Sequence, residues 1–430
     1  MSASLILILS ACFFLAIGVP VAFALGLATA AALVLADSYP LLVLLKETFT
    51  GMDSFPLMAV PFFILAAELM SGGSLTEVLL KFAGQFVGHK PLPICYTNVV
   101  SLTFFSGISG SALADAAGPG SMLIRMMDKA GYDRAYAAAL TAATAIVGPI
   151  IPPSIIMIIY ALQDDNVSVG ALFVAGLIPG LMIAVAMCVV NFQVSKKRNY
   201  KGEGAMPPWP EVLRTTWKAI PALLLPVLIL GGMRAGWFTP TEASVVAVFY
   251  ALICGKFIYR TLEWKALPDI LARSALLTAS VLIIIGLSAS FAWVLTIEGL
   301  PQMMADWIIG KNLSPWMFLI FVNIFLLLFG IFIEPLPGVM VLAPILAPVA
   351  VKLGIDPIHF AMIVIYNLTL GMITPPVGGL LFVTSNVSRV PMGPLVRELK
   401  PFLWAHGIVL VLLTFLPVLS TFLPRALGFK

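Results

Sequence analysis

Of the chain's 430 residues, 61% are hydrophobic and only 10% charged, with a mean hydropathy of +1.07. A soluble protein carries roughly 25% charged residues, so a water-exposed surface is excluded and the whole chain reads as an all-α polytopic membrane protein. The net charge of +4 comes from loop lysines and arginines, with no basic stripe interleaved with aromatics, which argues against a nucleic-acid partner.

The apolar segments run 3–18, 20–36, 54–71, 92–127, 134–163, 168–195, 220–234, 240–259, 274–298, 315–350, 357–386 and 402–424. The first two lack the basic start of a signal peptide and together form too long an apolar run, so two uncleaved helices turning near Gly18 and Pro20 are expected. The stretches 92–127 and 315–350 are each 36 residues long, against about 20 for one crossing. Both are interrupted, at Ser106-Gly-Ile-Ser-Gly-Ser111 and at Glu334-Pro-Leu-Pro-Gly338. A re-entrant helical hairpin fits each; two plain antiparallel spans are the alternative, although a turn at the bilayer surface normally carries flanking charges that are missing here. Segment 134–163 contains Gly148-Pro-Ile-Ile-Pro-Pro-Ser154, and 357–386 contains Gly371-Met-Ile-Thr-Pro-Pro-Val-Gly378. Interior prolines remove amide donors and clash one turn back, so both helices are expected to break at mid-depth. Thr239-Pro-Thr-Glu242 reads as a capping box.

Sliding the chain by 223 positions lays Lys129, Gly131 and Asp133 on Lys352, Gly354 and Asp356, and Gly148, Ile150, Pro152 and Pro153 on Gly371, Ile373, Pro375 and Pro376. The chain is a duplicated unit. Residues 1–91 and 220–314 are read as scaffold helices with an arm, 92–195 and 315–424 as the transport parts, and 196–219 as a cytoplasmic connector. Each half counts three crossings, a hairpin and two crossings, an odd total that inverts the second half. Basic residues Lys196, Lys197, Arg198, Lys201, Lys256, Arg260, Arg389 and Arg397 place their loops inside. Hairpin 92–127, flanked by His89, Lys90 and Arg125, then opens inward, 315–350 opens outward, and both termini lie outside.

Unwound backbone in hydrocarbon costs several kcal/mol per unsatisfied group, which calls for a polar ligand. A sodium ion would take the carbonyls of Gly148, Pro149 and Ile151 together with the hydroxyls of Ser106, Ser109 and Ser111. A second would sit among Gly330, Glu334, Gly371, Met372 and Thr374; a proline kink healed by neighbouring helices is the bland alternative at both places. Broken helices also aim amide hydrogens at the midplane, where Ser109, Ser111, Ser154, Asn367, Thr374, Ser385 and Asn386 could hold a polar anion. Glu334 could bind a cation or proton, or cap a helix. Asp115 could cap the returning limb of the first hairpin, and Glu68 should face protein or water.

Neither Gly255-Lys256 nor Gly310-Lys311 has the upstream glycine of a phosphate loop, so no nucleotide is expected. Cys12, Cys95, Cys188 and Cys254 show no paired spacing and His89, His359 and His406 no ligand motif, so neither a structural metal nor a haem is indicated. No nucleophile with a base and an orienting group appears, which makes an enzyme a poor fit.

Gly51-Met-Asp-Ser-Phe-Pro56 with Pro61-Phe-Phe63, Gly107-Ile-Ser-Gly-Ser-Ala-Leu-Ala-Asp115, Gly148-Pro-Ile-Ile-Pro-Pro-Ser154, Phe238-Thr-Pro-Thr-Glu242 and Gly371-Met-Ile-Thr-Pro-Pro-Val-Gly378 resemble motifs of one family across essentially the whole chain. That family is the large membrane subunit of tripartite ATP-independent periplasmic (TRAP) transporters. The resemblance implies a bacterial inner-membrane protein, sodium-driven uptake, and an elevator-like transport domain of the ion-transporter superfamily. It also implies two partners, a separate small four-helix membrane subunit and a soluble periplasmic binding protein. The substrate would be an organic acid such as sialic acid or a C4-dicarboxylate. A stand-alone sodium/anion symporter of the same architecture is the alternative.

Overall fold

The computed structural model describes residues 3–36, 39–71, 75–87, 94–200, 207–311 and 313–429. His89, Lys90 and Lys201 lie outside the described residues. The architecture is all-helical. In the first half come α1 (Ala3–Ala16), α2 (Val21–Ala36), α3 (Leu42–Met52), α4 (Ala59–Ser71), α5 (Leu75–Phe86), α6 (Cys95–Ser109), α7 (Ala112–Asp115), α8 (Ser121–Lys129), α9 (Arg134–Ala145), α10 (Ile155–Gln163), α11 (Val169–Ala175) and α12 (Leu177–Arg198). The second half contains α13 (Trp209–Arg234), α14 (Pro240–Ile253), α15 (Leu267–Ile297), α16 (Leu300–Gly310), α17 (Pro315–Gly330), α18 (Pro335–Lys352), α19 (Pro357–Gly371), α20 (Gly379–Ser388), α21 (Met392–Phe415) and α22 (Val418–Ala426). Six helical segments among the described residues are long and apolar enough to cross a membrane, seven if the bent pair α3–α4 counts as one span. One of the six, α18, is a limb of the second hairpin, and most of the remaining apolar helices are hairpin limbs or half-spans, too short to cross by themselves.

The repeat seen in the sequence is built in three dimensions. Gly131 and Gly354 both take left-handed φ values, +81° and +76°, which a side chain would resist. Asp133 and Asp356 follow and cap α9 and α19 through the amides of Tyr136 and His359. The Pro152–Pro153 and Pro375–Pro376 peptide bonds are both cis. The two copies run in opposite directions, as α21 shows. Its 24 residues span about 36 Å. Tyr136, in the first turn of α9, stacks near Phe402 towards the start of α21, whereas His359, in the first turn of α19, bonds the Thr414 carbonyl at its end. From these starts α9 reaches His406 with Ala143 and α19 reaches the same His406 with Tyr366, so the two helices run in opposite directions along α21.

The peripheral helices exchange partners between halves: α2 packs on α15 of the second half, and α14 of the second half packs on α4 of the first. Inside them, α10 packs on the returning limb α18 of the second hairpin, and α20 on the returning limb of the first. The most enclosed elements are α9 and α19, buried from Tyr136 to Ala145 and from Ile358 to Gly371. The Ala-rich sequence of α9 suits this place, because small side chains allow close backbone approach in a bundle.

Three sequence expectations are amended. The connector, placed at 196–219, is shorter, because α12 continues through Lys196, Lys197 and Arg198 and α13 begins at Trp209. Cations in a last helical turn are favoured by the helix dipole, so a basic run does not end a helix. Arg198 also pairs with Glu398 of α21 at 2.6 Å. Helix α3 was absent from the apolar segments because Lys46 and Glu47 interrupt it. Finally, the two halves differ at one matched place: α3 and α4 meet at a bend of 62°, where α15 is a continuous helix of 31 residues. The capping box at Thr239 and Glu242 is present, and Glu68 pairs with Arg273 across α4 and α15 at 3.1 Å.

Candidate functional site: two hairpin tips facing two helix breaks

At the first tip, α6 ends in Ser109 and Gly110 turns the chain with φ +61°. Only glycine fits, since a Cβ there would meet the Pro153 carbonyl oxygen at 2.2 Å. Ser111 then starts the returning limb as the N-cap of α7, accepting the Ala114 amide. The limb passes through a π-turn at Ala116–Gly120 that contains Pro119 before resuming as α8. Asp115 is not the cap expected of it. It is fully buried and its carboxylate turns back to accept the hydroxyls of Ser106, at 2.9 Å, and of Ser109.

The break between α9 and α10 lies against this tip. A Cβ on Gly148 would sit 2.8 Å from Asp115 Oδ2 and 3.0 Å from the Ser111 backbone, and one on Gly107 would be 3.8 Å from the Pro152 carbonyl. Ser106, Ser109, Ser111 and Gly148 are therefore brought together, with Pro149 and Ile151 in the same break. The Pro149 carbonyl is taken by the Ser154 hydroxyl at 2.6 Å. Among the described residues no backbone amide donates to the carbonyls of Gly148, Ile151, Pro152 or Pro153. Ser154 also caps α10 through the Met157 amide. Its hydroxyl thus stabilises the break.

The second site repeats the backbone and changes the charges. Gly330 ends α17 against Gly371, the last residue of α19, whose Cβ would meet the Gly330 carbonyl at 2.4 Å. Gly378, at φ +52°, donates to the Ile331 carbonyl at 3.4 Å and so links tip to break. Met372, named for this site, already gives its carbonyl to the Leu380 amide at 3.1 Å, and Thr374 donates to Leu370 at 2.9 Å. No backbone amide among the described residues reaches the carbonyls of Ile373, Pro375 or Pro376. Glu334 occupies the N-cap position of α18 but makes no capping hydrogen bond. Glu334 is exposed as a residue, and its Oε1 points toward Gly379 at the head of α20, 3.7 Å from where a Cβ would be. Asp115 has Gly338 as its counterpart and Glu334 has Ser111, so the carboxylates do not obey the repeat.

Ser385 and Asn386 lie in the last turns of α20, about 9 Å along the axis from Gly379. Ser385 donates to the Val390 carbonyl at 2.7 Å, and Asn386 is exposed. Asn367 is buried on α19 and bonds Asn323 of α17 at 2.8 Å, leaving its own Oδ1 unpaired. The first half has a similar clasp, Asn98 of α6 to Thr141 of α9 at 2.8 Å. These limb-to-helix bonds were missed in the sequence because Asn98 and Asn323 are lone amides inside largely apolar runs.

Among the described residues no three His, Cys, Asp or Glu side chains gather as a metal site. The donors at both tips are carbonyls, hydroxyls and single carboxylates, a hard oxygen set that fits an alkali cation rather than a transition metal.

The chain matches the family described as "Tripartite ATP-independent periplasmic transporter, DctM component" over residues 8–419. It is 40% identical over 410 residues to the sialic acid TRAP transporter large permease protein SiaM of Vibrio cholerae, covering 95% of each chain. It is 39% identical over 409 residues to the C4-dicarboxylate TRAP transporter large permease protein DctM of Pseudomonas aeruginosa, covering 94% of each. Among solved structures it is similar in fold to the YdaH transporter of Alcanivorax borkumensis, with a TM-score of 0.65 at 14% identity, over 96% of this chain and 98% of the other. These likenesses agree with the broken helices and paired tips described above: the chain belongs to the DctM component family of tripartite ATP-independent periplasmic transporters, and is a transporter permease rather than an enzyme.

Proposed function

We propose that this chain is the transporting subunit of a sodium-coupled importer of a carboxylate-bearing organic acid in the bacterial inner membrane. The observation that carries the reading is the pair of mid-helix breaks, each closed against a hairpin tip by glycine backbone, each leaving carbonyl oxygens without amide partners. One sodium ion is placed among Ser106, Ser109, Ser111 and the carbonyls of Gly148, Pro149 and Ile151, with Asp115 behind it. The other is placed among Gly330, Glu334, Gly371, Met372 and Thr374. Helices α10 and α20 begin at the breaks, and their amide ends favour an anion between the tips, near Ser109, Ser111, Ser154 and Thr374. Relatives named for sialic acid and C4-dicarboxylates support a carboxylate substrate.

The interleaved core of hairpins and broken helices would move as one body against the peripheral helices, an elevator. A small membrane subunit would flank the latter, and a periplasmic binding protein would deliver the substrate. The inward side carries Arg198 and Glu398, the outward side Asp356 with Arg425 and both termini. A membrane potential supplies about 2.3 kcal/mol per net charge per 100 mV, so two sodium ions with a monoanion drive accumulation.

The test is uptake in proteoliposomes containing this chain with both partners. Accumulation should require an inward sodium gradient and the binding protein. Uptake driven by protons and indifferent to sodium would refute the coupling, and uptake by this chain alone would refute the need for partners.

A further inference from the structure

The cation sites leave one buried polar bridge unused. His406, fully buried in α21, places Nε2 3.0 Å from the Ala143 carbonyl of α9 and Nδ1 2.9 Å from the Tyr366 hydroxyl of α19. A carbonyl only accepts, so Nε2 carries the hydrogen, and Nδ1 of the neutral ring faces the tyrosine hydroxyl as an acceptor, sharing that donor with the His406 backbone carbonyl at 3.2 Å.

The two partners are not arbitrary. Under the 223-residue offset Ala143 and Tyr366 are the same position, and each stands five residues before the glycine of its break, Gly148 or Gly371. One imidazole therefore joins the two inverted copies at equivalent points, near their internal two-fold. The counterpart of His406 is Ile183, buried and unable to bond, so the bridge is made once.

The bridge also depends on the first break. In a continuing helix the Val147 amide would go to the Ala143 carbonyl, but here it goes to Thr144 at 3.0 Å. The carbonyl that His406 takes is one that the unwinding releases. Rewinding α9 would offer that carbonyl a competing donor and loosen the ring, and with it the hydroxyl of Tyr366.

We propose that His406 is a positioning residue that couples the two cation sites, so that filling one break presets the other. The proposal rests on the cation reading above. Its test is the sodium dependence of uptake in proteoliposomes with both partners, for the unaltered protein and for His406→Leu, His406→Gln and Tyr366→Phe. His406→Gln retains a donor for Ala143 but loses the ring acceptor for Tyr366, whose hydroxyl keeps only the backbone carbonyl of residue 406, and Tyr366→Phe removes both bonds of that hydroxyl while keeping the packing.

The expected result is cooperative activation in the unaltered protein and a Hill coefficient falling to about 1 in all three variants, as expected when a coupling free energy is lost. Uptake at saturating sodium should stay within about threefold, since each site still forms. A His406→Leu protein that fails to fold leaves the decision to Tyr366→Phe. Cooperativity that survives in Tyr366→Phe, or sodium activation that is not cooperative in the unaltered protein, overturns the coupling alone. Uptake indifferent to sodium in the unaltered protein overturns the cation reading and the coupling together.

Discussion

Gly371 lies so close to Gly330 that a β-carbon on it would come within 2.4 Å of the Gly330 carbonyl group. The contact joins a hairpin tip to a helix break through bare backbone, and the first half does the same where Gly148 meets Ser111 and Asp115. Close approach of two backbones brings carbonyl oxygens from two elements into one shell, which a side chain between them would prevent.

Gly371→Ala should therefore lose the second site. Overpacking of this kind costs about 1–3 kcal/mol. Sodium-driven uptake in proteoliposomes should fall at least about tenfold, while the protein still elutes as a single species in detergent. Wild-type uptake by this variant would mean that the tip and the break are not held in contact during transport.

Asp115→Asn keeps the size of the side chain and removes its charge. The Ser106 and Ser109 hydroxyls would then donate to a neutral oxygen, and hydrogen bonds to charged groups contribute about 1.5–3 kcal/mol. The half-saturating sodium concentration for uptake should rise by about tenfold or more, with a smaller change in the substrate concentration needed. An unchanged sodium titration would remove Asp115 from the first site.

Pro152→Ala and Pro375→Ala each restore one amide hydrogen in a break. Partial rewinding should impair transport more than folding: uptake falls and sodium dependence weakens, while melting temperature in detergent shifts little. If both variants transport with wild-type sodium dependence, the breaks are maintained by the tips and not by the prolines.

The orientation can be read by labelling. In a cysteine-free background, Lys197→Cys and Ala426→Cys are both exposed positions, near Glu398 and near Asp356 respectively. An impermeant maleimide added to intact spheroplasts should label Ala426→Cys and spare Lys197→Cys. The reverse pattern would invert the assignment of inside and outside.

Much of the fold was legible in the sequence because membranes enforce simple rules. Apolar runs mark helices, and two runs of twice the usual length, each broken by small residues or prolines, mark hairpins. The 223-residue offset aligned glycines, prolines and capping aspartates, residues whose roles are set by local backbone geometry, so a match in sequence became a match in structure. Helix ends were less legible. The basic run at Lys196–Arg198 looks like a loop by composition yet belongs to α12, because cations complete a helix terminus.

The site was legible only in part. Ser106, Ser109, Ser111 and Gly148 lie near one another at the first tip, but Asp115 acts on the tip rather than as a cap, and Ser385 bonds the chain beyond its own helix. Where Asp115 points is set by the left-handed turn at Gly110 and the short α7 that follows it, backbone features that composition does not reveal.

By itself the sequence determined the duplicated helical plan, the places where the helices break and the family, since each depends on residues near one another along the chain. Only the tertiary structure decided which oxygens meet which tip, where the carboxylates point, and that one histidine ties Ala143 to Tyr366. Those contacts join segments up to 263 residues apart. They form only when the inverted copies pack together, and no local rule of spacing or propensity specifies that packing.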